Sequence, residues 1–208
     1  MQMEASPTSP APQRCVWCDA SALYREYHDR EWGFPVSDDT HLFENVCLEG
    51  FQAGLSWLTI LRKRENFRLA FKGFDIAAVA RMGADDVELL MANPGIVRHR
   101  GKIAAAINNA QCAERLLESQ PSLGSYFWKF EPDAKTRPPS ITRAVLSGIA
   151  QSAASEALSK ELRRQGWKFV GPTTMYAFMQ AMGLVNDHEE DCHVREAALA
   201  ARTGFKPV

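Results

Sequence analysis

Asn-Pro-Gly-Ile-Val-Arg-His-Arg-Gly-Lys, residues 93–102, is the stretch whose reading decides the fold. Pro94-Gly95 breaks a helix, so the helix over residues 85–92 stops before it. Ile96-Val97 follows, and a long helix then runs from about Arg98 to Glu118, with Ile103, Ile107, Ala110 and Leu117 on its inner side. Helix, tight turn, helix is a helix-hairpin-helix, here covering about residues 84–118. Its turn presents backbone N–H groups at a helix N-terminus, a natural seat for phosphate. Gly95, Arg98, Arg100 and Lys102 are the residues this reading assigns to a nucleic-acid backbone, with attraction that carries no base preference. The competing reading is a basic, solvated turn between two packed helices.

Outward from the hairpin, nearly everything after residue 18 reads as helix, and no run shows the period-two alternation of a strand. The fold class is therefore all-α. Residues 19–29 form a short helix carrying Tyr24, Tyr27 and His28, and Gly33-Phe34-Pro35 breaks the chain. Asp38 or Asp39 then caps a helix that continues through Phe43 and Cys47 to Ile60, interrupted at Gly50 and Gly54 by a kink or by the close approach of something bulky. Asp75 caps a short helix. Residues 131–140, with Pro132, Pro138 and Pro139, form a surface loop. Ser152 or Ser155 opens a helix that Gly166 ends, and Pro172 stands in the first turn of another that Gly183 ends.

A chain of 208 residues that is 46% hydrophobic makes one domain with a full core. The formal net charge of −1 excludes a globally basic protein, so binding to nucleic acid needs positive charge gathered on one face. No apolar run is long enough to span a bilayer. Residues 1–14, rich in Pro, Ser and Ala, read as a disordered tail without the apolar core of a signal peptide. These features lead to the expectation of a cytoplasmic protein without a membrane partner, whose five cysteines remain reduced. Paired Cys and His are then better read as metal ligands than as disulfide partners.

His188 and Cys192 stand four residues apart, on one face if helical, and Cys15 and His28 could supply two further ligands. A Cys₂His₂ set without an open position is the pattern of structural Zn²⁺. The distance between the pairs fits no finger or ribbon, and Cys18 and His193 are alternatives. Glu49 lies in an apolar, aromatic run, residues 46–57, and burying its carboxylate is costly unless something pairs with it. Trp17, Tyr24, Tyr27, Trp32 and Trp57 give the first 57 residues enough flat surface to hold a flat base, most tightly a cationic one. A capped surface Glu and ordinary aromatic core packing are the plainer readings.

These segments taken in order resemble the 3-methyladenine DNA glycosylase I family of the helix-hairpin-helix superfamily. The matching pieces are Arg14-Cys15 with Trp17, Tyr27-His28-Asp29, Glu31-Trp32-Gly33, CLEGFQAGLSW (47–57), LRKRENFR (61–68), GIVRHRGKI (95–103), KFVGPTTMYAFMQAMGLVNDH (168–188) and Cys192. The resemblance implies a two-lobed helical domain over residues 15–192, its N- and C-terminal segments joined by a zinc clip, followed by a tail at 193–208. It also implies excision of 3-methyladenine from alkylated double-stranded DNA by a monomeric, monofunctional N-glycosidic hydrolase. By motif position, Cys15, His28, His188 and Cys192 match the ligands of one structural zinc. Glu49 matches the base-recognising carboxylate, the only residue given a catalytic role, and Tyr27 and Trp57 match the aromatics that sandwich the base. Leu55, between Gly54 and Ser56, is the candidate wedge that fills the gap in the duplex. The rivals are a non-catalytic binder of damaged DNA and a zinc-stabilised helical interaction module. A zinc hydrolase is disfavoured, since four protein ligands leave no position for water.

Overall fold

Helices begin where a capping side chain precedes an apolar-periodic run. The computed structural model, which describes residues 12–207, holds helices and their connections, with no strand among the described residues. After a 3₁₀ turn at Val16–Ala20, the α-helices are α1 (Ala22–Arg30), α2 (Asp39–Gln52), α3 (Trp57–Ala70), α4 (Ile76–Ala80), α5 (Ala84–Ala92) and α6 (Arg100–Leu117). They are followed by α7 (Leu123–Phe127), α8 (Arg143–Ser147), α9 (Ala153–Arg164), α10 (Pro172–Ala181) and α11 (Arg195–Thr203). Side-chain caps set many of the starts: Ser21, Asp38, Ser56, Asp75 and Ser152 each accept a hydrogen bond from the first-turn amide three residues on. Of the paired alternatives, the caps are therefore Asp38 and Ser152.

The helix read as continuing to Ile60 is two helices. Gly54, at φ +82°, takes the left-handed conformation that glycine adopts without strain, and Ser56 then caps α3 by accepting from the Thr59 amide. Residues 53–56 thus form an exposed turn, with Leu55 at its tip 41% exposed. Gly50 has the bulky neighbour expected for it: a Cβ there would stand 3.3 Å from the Cβ of Phe169.

α2 is the axis of the molecule. Residues 42–51 are buried without interruption, as in a helix surrounded by others, and α2 packs against α3, α6, α7 and α10. Phe51, Phe67, Phe71 and Phe74 form a chain of rings between α2 and the end of α3, with successive centroids 4.6, 6.2 and 5.5 Å apart. Two charged side chains inside this layer are paired. Glu44 of α2 receives Arg68 of α3 at 2.9 Å, and Arg64 of α3 holds both carboxylate oxygens of Glu31.

The chain ends are drawn together. Residues 1–11, most of the expected tail, lie outside the described residues. Gln13 and Arg14, read with them, are instead bound: the Gln13 carbonyl accepts from the His193 amide at 2.9 Å, and the Arg14 guanidinium clasps Asp29. At the other end, residues 193–208 include α11, whose Arg202 stacks 4.5 Å from the Trp128 ring and pairs with Glu131.

Candidate functional site

Glu49 projects from the buried middle of α2 into the wall of a cavity of about 580 Å³, large enough for a purine and open at one side. It is 4% exposed and, unlike Glu44 on the same helix, has no ion-pair or hydrogen-bond partner among the described residues. Burial alone pushes its carboxyl up to about 8, which favours the protonated form at neutral pH.

Tyr27, Trp57, Trp17, Tyr24 and Trp32 wall the same cavity. Tyr27 and Trp57 were expected to sandwich a ring. Their centroids are 5.6 Å apart at an interplanar angle of 44°, so they meet each other and form one continuous aromatic wall. A ring held between two parallel faces needs about 7 Å, twice a van der Waals contact. Burial raises both pocket phenols, Tyr24 to about 12, with the nearby Glu49 adding to the effect, so both remain neutral donors.

The opposite wall was not anticipated. Thr173, Thr174, Ala177 and Gln180 of α10 and Asp187 beyond it face the cavity. Spacings of three and four place the α10 residues on one helical face, but that pattern also describes ordinary core packing, so the sequence carried no separate signal. Asp187 is 1% exposed and fully engaged by the Tyr176 hydroxyl at 2.7 Å, the Gln180 amide at 2.8 Å and Arg137 from the 131–140 loop. That loop, read only as surface, therefore braces the pocket.

Behind the aromatic wall, Cys15, His28, His188 and Cys192 come together with all four ligand atoms within 4.8 Å of one another and all four residues buried. The spacings are 3.2 Å between His28 Nε2 and His188 Nδ1, 3.5 and 3.6 Å from Cys192 Sγ to those nitrogens, and 3.9 Å from Cys15 Sγ to His188 Nδ1. A tetrahedral ion with ordinary Zn–N and Zn–S bonds separates its ligands by about 3.3–3.8 Å, and these four spacings lie within about 0.1 Å of that range, as in a group able to hold a metal ion. The outer contacts fit as well. The second ring nitrogen of His28 meets Asp29 at 2.7 Å, that of His188 meets the Trp32 carbonyl at 2.9 Å, and the Glu189 amide donates to Cys15 Sγ at 3.4 Å. Burial lowers both imidazoles, His188 to about 4, which keeps them neutral as metal ligands must be. Cys18 is buried nearby but outside the set, and His193 points its Nδ1 to the Gln13 carbonyl at 2.9 Å.

The hairpin separates the four residues assigned to phosphate. Arg98 is exposed with no partner among the described residues, whereas Arg100 is exposed and paired with Glu88. The Gly95 amide is already engaged by Asn93 Oδ1 at 2.8 Å. Lys102 is corrected outright. It is 7% exposed, and its ammonium turns inward to the Phe51 and Ala53 carbonyls at 2.9 and 2.5 Å, capping the C-terminal end of α2.

The described residues thus make an all-helical protein of the class that encloses a pocket between its helices, here a purine-sized aromatic cavity with the Glu49 carboxyl in its wall and a buried Cys₂His₂ cluster beside it. The comparisons with known proteins narrow that class. The family model described as methyladenine glycosylase matches residues 17–196. The chain is 49% identical over 182 residues to DNA-3-methyladenine glycosylase 1 of Escherichia coli strain K12, covering 86% of this chain and 95% of that protein. It is 42% identical over 188 residues to the DNA-3-methyladenine glycosylase of Haemophilus influenzae, covering 86% and 96%. Among solved structures, the 3-methyladenine DNA glycosylase I of Staphylococcus aureus, studied for its recognition of 3-methyladenine, superposes with a TM-score of 0.81 at 36% identity, covering 88% of this chain and 96% of that one. The chain belongs to the methyladenine glycosylase family.

Proposed function

We propose that this protein is a DNA-3-methyladenine glycosylase: it extrudes the alkylated nucleotide from duplex DNA and hydrolyses its N-glycosidic bond. One observation carries the reading, the unpartnered carboxyl of Glu49 in the wall of a purine-sized aromatic cavity. Methylation at N3 leaves adenine positively charged and its glycosidic bond weakened, so the leaving group needs little acid assistance. The enzyme's task is to take the nucleotide out of the stack and select the charged base. Glu49 accepts hydrogen bonds from the exocyclic amine and a donating ring position. The cation pulls the carboxyl into its anionic form, a gain that neutral adenine does not supply. Tyr27 and Trp57 cover the ring, adding cation–π attraction of about 0.5–2 kcal/mol. Water then attacks the sugar carbon.

The Cys₂His₂ cluster is assigned to one structural Zn²⁺ held by Cys15, His28, His188 and Cys192. Bound there, the metal supplies folding energy and no chemistry, since four protein ligands leave no place for water. The α5–turn–α6 unit is assigned as the helix-hairpin-helix of a two-lobed, monomeric, cytoplasmic enzyme acting on double-stranded DNA. Arg98 and Arg100 reach its phosphates, and Leu55 fills the gap left in the duplex. Incubation with methylated duplex DNA, followed by chromatography of the released bases, tests the assignment. Free 3-methyladenine is the expected product. Tight binding without release would make the protein a non-catalytic sensor of damage.

A further inference from the structure

The connection between α9 and α10, residues 165–171, carries a backbone feature that packing alone does not require. Phe169 has φ +55°, a conformation rare for any side-chain-bearing residue and least suited to a bulky one. It is held there from several sides. Asn109 of α6 brackets its neighbour, accepting from the Lys168 amide at 2.8 Å and donating to the Lys168 carbonyl at 2.9 Å. Asn108 donates to the Gly166 carbonyl at 2.9 Å, and the buried Ser159 hydroxyl to the Val170 carbonyl at 2.6 Å. Trp167 and Val170 are buried anchors on either side, and Gly50 of α2 leaves room for the turn. The result of all this fixing is that Lys168 and Phe169 point outward, with Phe169 41% exposed. Phe74 takes the same conformation, at φ +58°, with its ring fully buried in the core, whereas the Phe169 ring is presented to solvent. Strain of this kind persists where the presented side chain has work to do.

The position says what that work is. The Phe169 ring stands 6.3 Å from the ring of His99, the N-cap of α6 at the hairpin. It is 6.0 Å from the Lys102 ammonium, which also holds the Ala53 carbonyl at the rim of the base cavity. Four and five residues further on, Thr173 and Thr174 line that cavity. Phe169 and Lys168 therefore lie between the pocket that receives the base and the turn that meets the backbone. We propose that they form a further duplex-contact element, Phe169 packing on a nucleotide beside the extruded one and Lys168 pairing with a phosphate. The proposal rests on the glycosylase reading.

The test uses the full chain, a duplex containing one tetrahydrofuran abasic nucleotide, and free 3-methyladenine. Phe169→Ala and Phe169→Asn weaken duplex binding by about 5- to 100-fold, Phe169→Tyr restores it, and Lys168→Gln lowers the salt slope by about one. Affinity for the free base stays within about twofold of wild type in each, and Phe169→Asn, suited to positive φ, keeps the wild-type Tm. Undiminished duplex binding in both Phe169 variants overturns the proposal, as does a parallel loss of free-base affinity, which would make the residue a brace of the pocket. A wild-type protein that releases no base from methylated DNA fails the glycosylase reading instead, a result separable from either of these.

Discussion

At Glu49 one carboxyl serves recognition at the expense of stability. Its folded value of about 8 lies above the ordinary 4.5, so folding favours the protonated form. Below about pH 4.5 the group is neutral in both states and burial costs nothing extra. Between about pH 4.5 and 8 the unfolded chain ionises while the folded one resists, so stability falls across that window and levels off above it. Glu49→Gln removes that penalty: thermal melts of variant and wild type converge near pH 5, and at pH 9 the variant is the more stable by about 1–3 kcal/mol. The function moves the other way. A permanently cationic base binds the carboxylate form, so kcat/KM of the wild type rises with pH to a plateau above about 8, whereas the Gln variant shows a low, flat profile and poorer discrimination of 3-methyladenine from adenine. Equal product-base affinity in the two proteins would remove Glu49 as the reader. The residue was legible because a carboxylate inside Val46-Cys47-Leu48 and Gly50-Phe51 is costly to bury without a partner, although a capped surface Glu was the plainer reading. Its protonation was not, since that depends on which neighbours three-dimensional packing brings, and none of them is a cation.

Among the elements, α5, the turn and α6 stand where helix, turn and helix are expected, yet three of the four proposed contacts, Gly95, Arg100 and Lys102, are already engaged within the protein. Sequence spacing locates a basic turn but does not say which way each long side chain reaches. Lys102 lies two residues into α6, where its stem spans to the carbonyls left open by the end of α2. The two roles separate experimentally. Arg98→Gln lowers the slope of log K against log salt for duplex binding by about one and leaves Tm alone. Lys102→Met leaves that slope unchanged and lowers stability by about 1.5–3 kcal/mol, the scale of a hydrogen bond to a charged group. If Lys102→Met instead reduced the slope, its ammonium would be meeting DNA after all. The split between α2 and α3 has a similar lesson. Gly54 and Ser56 each carried the boundary signal, but the apolar run through them reads as continuous until the cap at Ser56 is given its weight. Past the split, α3 brings Phe67 to α2, and Phe67→Ala costs about 3–5 kcal/mol in denaturant melts through the cavity it leaves.

On the scale of the whole molecule, the Cys₂His₂ cluster explains how a pocket wall made by the chain's first helix is held in register with segments more than 150 residues away. His28 lies one residue beyond Tyr27, and His188 one beyond Asp187, so each ligand is adjacent to a residue of the cavity wall, from opposite ends of the sequence. Local periodicity could not have paired those ends; the ordered motifs did, and they pointed to Cys15 over Cys18, the thiol that the structure places in the cluster. Without an ion the cluster is four desolvated polar groups, with burial driving the Cys15 thiol up and the His188 imidazole down to about 4, a costly arrangement that a divalent cation reverses by taking thiolates and neutral imidazoles together. Elemental analysis of the purified protein is therefore expected to find about one zinc per chain. Cys192→Ser loses it and melts at lower temperature, while Cys18→Ser keeps both metal and Tm. Because the ligands anchor the wall and touch no substrate, a strong chelator lowers Tm and base-excision activity in step. Activity lost while the melt is unchanged would contradict the structural role and place the ion in the chemistry.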